Sequence, residues 1–166
     1  MTVMNVVIYD YDQASRLVAV SDSFSSYGYL YDDDDRLTQV DNLGMVGVPN
    51  VILDYTYDPV DNLLSVTDTI NAVISGVEDF TYDQLNRITS ITQSGVDVTD
   101  KRVDFSYDKA SQLIRIDRFS DLASTQLVAE TKHTYDDFGR LIDLVHTGGI
   151  GQIETYFIFT VQYYDR

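Results

Sequence analysis

The sequence predicts an all-β fold, a repeat of consecutive β-hairpins wound as a solenoid or spiral sheet. Three observations predict it. A Tyr-Asp dipeptide recurs at a nearly constant interval, thirteen Tyr and seven Phe accompany no Trp, and rings alternate with other residues just before each Tyr-Asp. Ring side chains pack well on a half-buried pleated surface, so tyrosine at this density favours strands over helices.

Six copies begin at Tyr11, Tyr31, Tyr57, Tyr82, Tyr107 and Tyr135, and a truncated seventh at Tyr164. The intervals are 20, 26, 25, 25, 28 and 29 residues, the range in which each unit stacks on its neighbours. Two positions earlier stands a ring in all six full copies: Tyr9, Tyr29, Tyr55, Phe80, Phe105 and His133. This period-2 pattern is that of a half-buried strand. After Tyr-Asp come two variable residues and then Ser15, Asp35, Asp61, Asn86, Ser111 or Gly139. The segment reads as a turn, because Asp bonds backbone N–H groups two residues on and the last position tolerates positive φ.

A polar residue follows, Arg16, Arg36, Asn62, Arg87, Gln112 or Arg140, and then an aliphatic, Leu17, Leu37, Leu63, Ile88, Leu113 or Leu141. A second aliphatic lies three positions on: Val20, Val40, Val66, Ile91, Ile116 and Leu144. In a regular strand that spacing sends the two to opposite faces. Either both faces are partly covered or a bulge shifts the phase. Each unit thus supplies two strands of about five to seven residues. The return ends "DNLGMVGVPN", "DTINAVISGVED" and "HTGGIGQ" vary in length and hold most of the glycines. No linker interrupts the chain, so residues 1–166 form one repeat domain of six units and a truncated seventh. The only stretch of passable helical composition is 121–133.

Composition limits the functions. The net charge of −16, from 27 acidic and 11 basic residues, repels phosphate backbones and anionic lipid. This argues against a nucleic-acid partner, and no apolar run reaches the roughly 18 residues of a membrane span. With no cysteine there are no disulfides and no thiolate sites. The opening "MTVMNVVIYDYDQ" lacks the basic and long apolar regions of a signal peptide.

The copies resemble the YD-repeat, or rearrangement-hotspot (Rhs), family, whose unit reads approximately Tyr-x-Tyr-Asp-x-x-Gly-Arg-Leu-x-x-Val. The match is closest in "TYDDFGRLIDLV", residues 134–145, which keeps both Gly139 and Arg140, and it extends over about residues 5–166. The resemblance implies a long spiral β-sheet, as in the toxin-enclosing shells of bacterial Rhs and Tc-type proteins and the barrel of teneurins. It also implies an extracellular or cell-surface location. The chain departs from the family pattern in keeping the turn glycine once and in replacing Arg by Asn62 and Gln112. The self-cleaving Asp-Pro and Gly-Leu segment is absent: Asp58-Pro59 sits inside an ordinary repeat.

Each candidate for chemistry has a structural role available to it. A carboxylate pair of the glycosidase kind needs two groups with different pKa values. Asp12, Asp32, Asp58, Asp83, Asp108 and Asp136 occupy equivalent turn positions, so turn capping accounts for all six and a catalytic pair for two. The acidic run 32–35 lacks the spaced ligands and distal Glu of a calcium loop and reads as a solvated turn. His133 and His146 are not at metal spacing. The sequence therefore predicts no catalytic residue, no metal and no cofactor.

The ends carry the remaining signal. An apolar strand containing Val6, Val7 and Ile8 opens the chain, and "TYFIFTVQYYDR", with Tyr156, Ile158 and Tyr164, closes it. Solenoids need polar caps, and bare edge strands recruit other chains. The sequence therefore predicts a structural protein whose copies join head to tail through these strands into a β-rich fibre. The alternatives are a wall fragment adjoining further YD repeats of a larger Rhs- or Tc-type shell, and, third, a carbohydrate- or surface-binding module.

Overall fold

A computed structural model describes residues 6–44, 47–96 and 98–148, and the strand 158–160. Tyr156 and Tyr164 lie outside the described residues, and β13 is described as a strand only. The described residues are all-β, without a helix. Strand order in the sheet is the sequence order, β1 to β13, a meander without crossovers. The chain divides into two compact units, Met1–Asp79 with Gly95–Val98, and Phe80–Ser94 with Thr99–Arg166.

The first unit holds β1 (Ile8–Tyr11), β2 (Leu17–Ser21), β3 (Ser26–Tyr31), β4 (Leu37–Asp41), β5 (Val51–Tyr57), β6 (Leu63–Ile70) and most of β7 (Val73–Tyr82). Its odd-to-even pairs are hairpins closed by the Tyr-Asp turn. Tyr11 pairs with Leu17 and Tyr9 with Val20, and between them the register shifts by one residue. Tyr31 and Tyr29 face Leu37 and Val40, and Tyr57 and Tyr55 face Leu63 and Val66, with the same shift. This bulge is the physical answer to the spacing of three. One extra residue on the return strand restores the phase, so both aliphatics stand opposite rings, on one face. At the far end Asn71 and Ala72, φ 49° and 64°, make a two-residue turn between Ile70 and Val73.

The second unit holds the end of β7, β8 (Ile88–Gly95), β9 (Lys101–Tyr107), β10 (Leu113–Phe119), β11 (Leu127–Tyr135), β12 (Leu141–Gly148) and β13 (Ile158–Thr160). Tyr107 and Phe105 face Leu113 and Ile116, and Tyr135 and His133 face Leu141 and Leu144, again across a shifted register. The stretch 121–133 is not helical. Its Asp121 side chain accepts the backbone N–H of Thr125 and Gln126 and closes a loop, and β11 then pairs with β10 and β12. Two strand partners satisfy the backbone that helical composition alone would have folded locally.

Among the described residues neither unit encloses a conventional core. Among the described residues the most buried apolar side chain is Ala129, 9% exposed, and the buried polar ones are Ser90 and Thr131. The ring-and-aliphatic face is half-buried from Tyr29 onward, whereas its other-face neighbours Thr56, Thr81, Ser106 and Thr134 are exposed.

Candidate functional site

The repeated chemistry sits at the Tyr-Asp turns, and all six are built alike. The Asp N–H bonds the carbonyl four residues on at 2.9–3.0 Å, and its carbonyl accepts the N–H three residues on at 2.9–3.2 Å. The last turn residue lies in the left-handed region in every copy: Ser15, Asp35, Asp61, Asn86, Ser111 and Gly139, φ 58–77°. This is a type I turn followed by a left-handed residue that forms the bulge.

Each carboxylate is consumed by its own turn. Oδ1 of Asp12, Asp32, Asp58, Asp83, Asp108 and Asp136 accepts two backbone N–H groups, two and four residues on, at 2.8–3.1 Å. Oδ2 accepts a side-chain donor, at 2.6–2.8 Å, from Arg16, Arg36, Asn62, Arg87 and Arg140. At Asp12, Asp32, Asp58, Asp83 and Asp136 the consequence is a lowered pKa. The backbone N–H and guanidinium of Arg16 hold Asp12 below the usual carboxylate range, those of Arg36 and Arg140 do the same for Asp32 and Asp136, and at Asp83 the Arg87 guanidinium acts most. At Asp58 burial pushes upward, and the side chain and N–H of Asn62 outweigh it. Hydrogen bonds to the ionised form account for the direction. Equivalent carboxylates with a common shift are the opposite of an acid-base pair, whose members must differ.

Between successive repeats runs a second set of contacts that sequence reasoning missed. In the first unit Arg16 reaches past its own turn to the Asp32 carbonyl at 3.1 Å, and Arg36 reaches the Asp58 carbonyl at 3.0 Å. Their guanidiniums stack over Tyr31 and Tyr57, 4.9 and 5.0 Å from the ring centroids, and pair with Asp35 and Asp61. The ring answers in the other direction: Tyr31 donates its hydroxyl to the Leu17 carbonyl at 2.9 Å, and Tyr57 to Leu37 at 2.8 Å. Burial pushes the Tyr57 hydroxyl pKa up. In the second unit Arg87 stacks over Tyr107 at 4.5 Å and reaches the Asp108 carbonyl at 3.4 Å, while Tyr107 donates to the Ile88 carbonyl. Gln112 substitutes by reaching the Gly139 carbonyl at 3.2 Å, and Tyr135 donates to Leu113. The only sequence signal was the basic residue itself. Its reach toward the next repeat has no local signature.

The other face of the second unit carries a row of ion pairs, also unread in the sequence. Asp104, Asp117 and Glu130 stand opposite one another on β9, β10 and β11. Arg102 bonds Asp104 at 2.7 Å, Arg115 bridges Asp117 and Glu130 at 2.8 and 2.7 Å, and Lys132 bonds Glu130 at 2.6 Å. Like charges placed opposite each other repel, and these cations offset that. His133 takes the ring position opposite Leu144, with no hydrogen-bond partner for its buried Nδ1. His146 accompanies Thr131 and Arg118 instead, at 3.0 and 2.9 Å along that chain of contacts. Among the described residues no group of three or more His, Cys, Asp or Glu is arranged to hold a metal ion. A shallow cavity of about 340 Å³ beside Val103, Arg118 and Phe119 has one ring in its wall. The assembly-edge residues Val6, Val7 and Ile8 are 58, 45 and 54% exposed.

Fold and turns together define an all-β tandem-hairpin repeat, each turn closed by its own Asp, with Arg-Tyr contacts to the next turn at three junctions and a Gln112 contact at a fourth. Solved structures share this fold. The chain is similar to TcdB2-TccC3-Cdc42, at TM-score 0.55 and 15% identity over 93% of its length, and to TcdB2-TccC3 without its hypervariable C-terminal region, at TM-score 0.56 and 14% identity over 93%. It spans about a tenth of those chains, 10% and 9%. No family model matches the chain, and no curated protein does.

Proposed function

We propose that this chain is a non-enzymatic structural protein, a wall segment that adjoins further YD repeats in an Rhs- or Tc-type shell enclosing a toxin cargo. The observation that carries the reading is a double use of the turn residues: Asp closes its own turn in all six copies, and Arg16, Arg36, Arg87 and Gln112 reach to the next turn, whose Tyr bonds back. Six equivalent carboxylates, with both oxygens engaged at five of the turns, support the non-enzymatic reading, which asks for no cofactor or metal. Likeness in fold to TcdB2-TccC3 chains supports the wall reading, since Tc-type shells are among those the sequence resemblance implies. The same resemblance supports an extracellular or cell-surface location.

A second reading is end-to-end association of identical chains into a fibre, favoured by the exposed residues at the β1 edge. Size-exclusion chromatography with light scattering, followed by negative-stain imaging over a concentration series, separates the two. The wall reading expects a short, discrete species, and growing fibres would replace it with the second. Hydrolytic activity that disappears in Asp83→Asn would overturn the non-enzymatic assignment.

A further inference from the structure

The β1 edge carries half of an inter-repeat junction. In every junction described above, a return strand lends its first aliphatic carbonyl to a Tyr hydroxyl, and its basic or amide side chain reaches over to the next turn. The receiving half consists of a Tyr, the Asp carbonyl behind it, and an extended strand in front. The Asp32 carbonyl shows that one oxygen serves two donors, its own turn N–H from Asp35 and the guanidinium of Arg16. Tyr11 and Asp12 reproduce this receiving half. The Asp12 carbonyl accepts the Ser15 N–H as in every other copy. Tyr11 is 61% exposed, and its hydroxyl has no partner among the described residues. The corresponding Tyr31, Tyr57, Tyr107 and Tyr135 are half-buried and bonded.

The junction between β8 and β9 is the nearest equivalent, since Ser111 stands in its receiving turn where Ser15 stands in the first. There the guanidinium stacks without a carboxylate at that turn position, so Ser15 does not disqualify the edge. Val103 lies four residues before Tyr107 and faces Ile91. Val7 lies four residues before Tyr11 and is 45% exposed, an apolar residue at the matching place.

We propose that the β1 edge receives the return strand of an adjoining YD-type repeat, of pattern Arg-(Leu/Ile)-x-x-(Val/Ile). Its Arg would lie over Tyr11 and reach the Asp12 carbonyl, its first aliphatic carbonyl would accept the Tyr11 hydroxyl, and its second aliphatic would meet Val7. This deepens the wall reading by specifying what the wall's neighbour must present. Recognition is by strand addition, with main-chain pairing for affinity and the Arg-Tyr contacts for register.

The test titrates the full chain with a capped peptide of residues 87–95, followed by amide NMR. Saturable shifts and exchange protection confined to residues 6–12 are expected. A peptide with Lys in place of its Arg should bind about tenfold more weakly, since ammonium neither stacks nor forks as guanidinium does. In the chain, Tyr11→Phe should weaken the parent peptide about fivefold by removing one hydrogen bond. No binding, binding elsewhere, or indifference to both changes would overturn the proposal. Concentration-dependent protection of residues 6–12 that the peptide fails to displace would assign the edge to a second copy and also overturn it. The wall reading itself is judged separately, by whether the chain forms discrete species or fibres.

Discussion

The two ends of the hairpins obey different rules. At the Tyr-Asp end six turns share one hydrogen-bond scheme and one backbone conformation, and five show the same one-residue register shift. At the return end four connections are each made differently. Asp22 closes one loop by accepting the N–H of Phe24 and Ser25. Asn42 and Asn50 cross-brace another, Asn71-Ala72 turns in two residues, and Asp121 closes a loop with Thr125 and Gln126. Uniformity appears where a turn must also present its carbonyl and ring to a neighbouring repeat. Where only chain reversal is required, any satisfied turn serves, and length drifts.

The contrast can be broken first with acid, which acts on many turns at once. The native pKa values of Asp12, Asp32, Asp58, Asp83 and Asp136 lie below the ordinary value, so the unfolded chain binds protons first. Their contribution is complete above the ordinary Asp range, at about pH 4, and is lost as pH falls through the depressed native values. Relief of self-repulsion works the other way down to the isoelectric point near 4.1. The melting temperature should therefore hold to about pH 4 and fall steeply below it. Asp83→Asn should shallow that fall; an unchanged profile would remove Asp83 from the account.

Second in size is Gly95→Ala, which tests the return end. An added Cβ would lie 2.1 Å from the Ser75 carbonyl oxygen and 2.9 Å from the Gly76 Cα, both rigid backbone. We expect a loss of about 3 kcal/mol in chemical denaturation, and a loss under 1 kcal/mol would show that the strand ends part freely. Tyr57→Phe, which deletes the 2.8 Å bond to the Leu37 carbonyl, should cost about 1 kcal/mol. Tyr9→Phe, at an exposed ring, should cost nothing measurable. Equal effects would deny the junction its role. The smallest change is a gain. Ala72 has φ 64° in a two-residue turn that favours Asn-Gly, so Ala72→Gly should stabilise by about 1 kcal/mol.

The repeat unit, the all-β class and the turn positions were legible in the sequence because they rest on local chemistry. Alternating rings define a strand within five residues, and Asp followed by a left-handed residue defines its turn. The spacing of three between Leu17 and Val20 was visible, but its meaning was not: two covering layers and a bulge write the same pattern. Register against Tyr11 and Tyr9 decided for the bulge. Helical composition in 121–133 likewise gave way to pairing with β10 and β12, which no window of that length contains.

What the sequence determined by itself was the hairpin and how it closes, since every group in the Asp turn lies within four residues of its partner. The tertiary structure alone decided how one hairpin holds the next. Arg16 finds the Asp32 carbonyl 16 residues on, and Gln112 finds Gly139 at 27. Asp104, Asp117 and Glu130 meet only through the register of three strands. Such partners are set by strand pairing, and pairing depends on the whole apolar face of a strand, which no single residue in it announces.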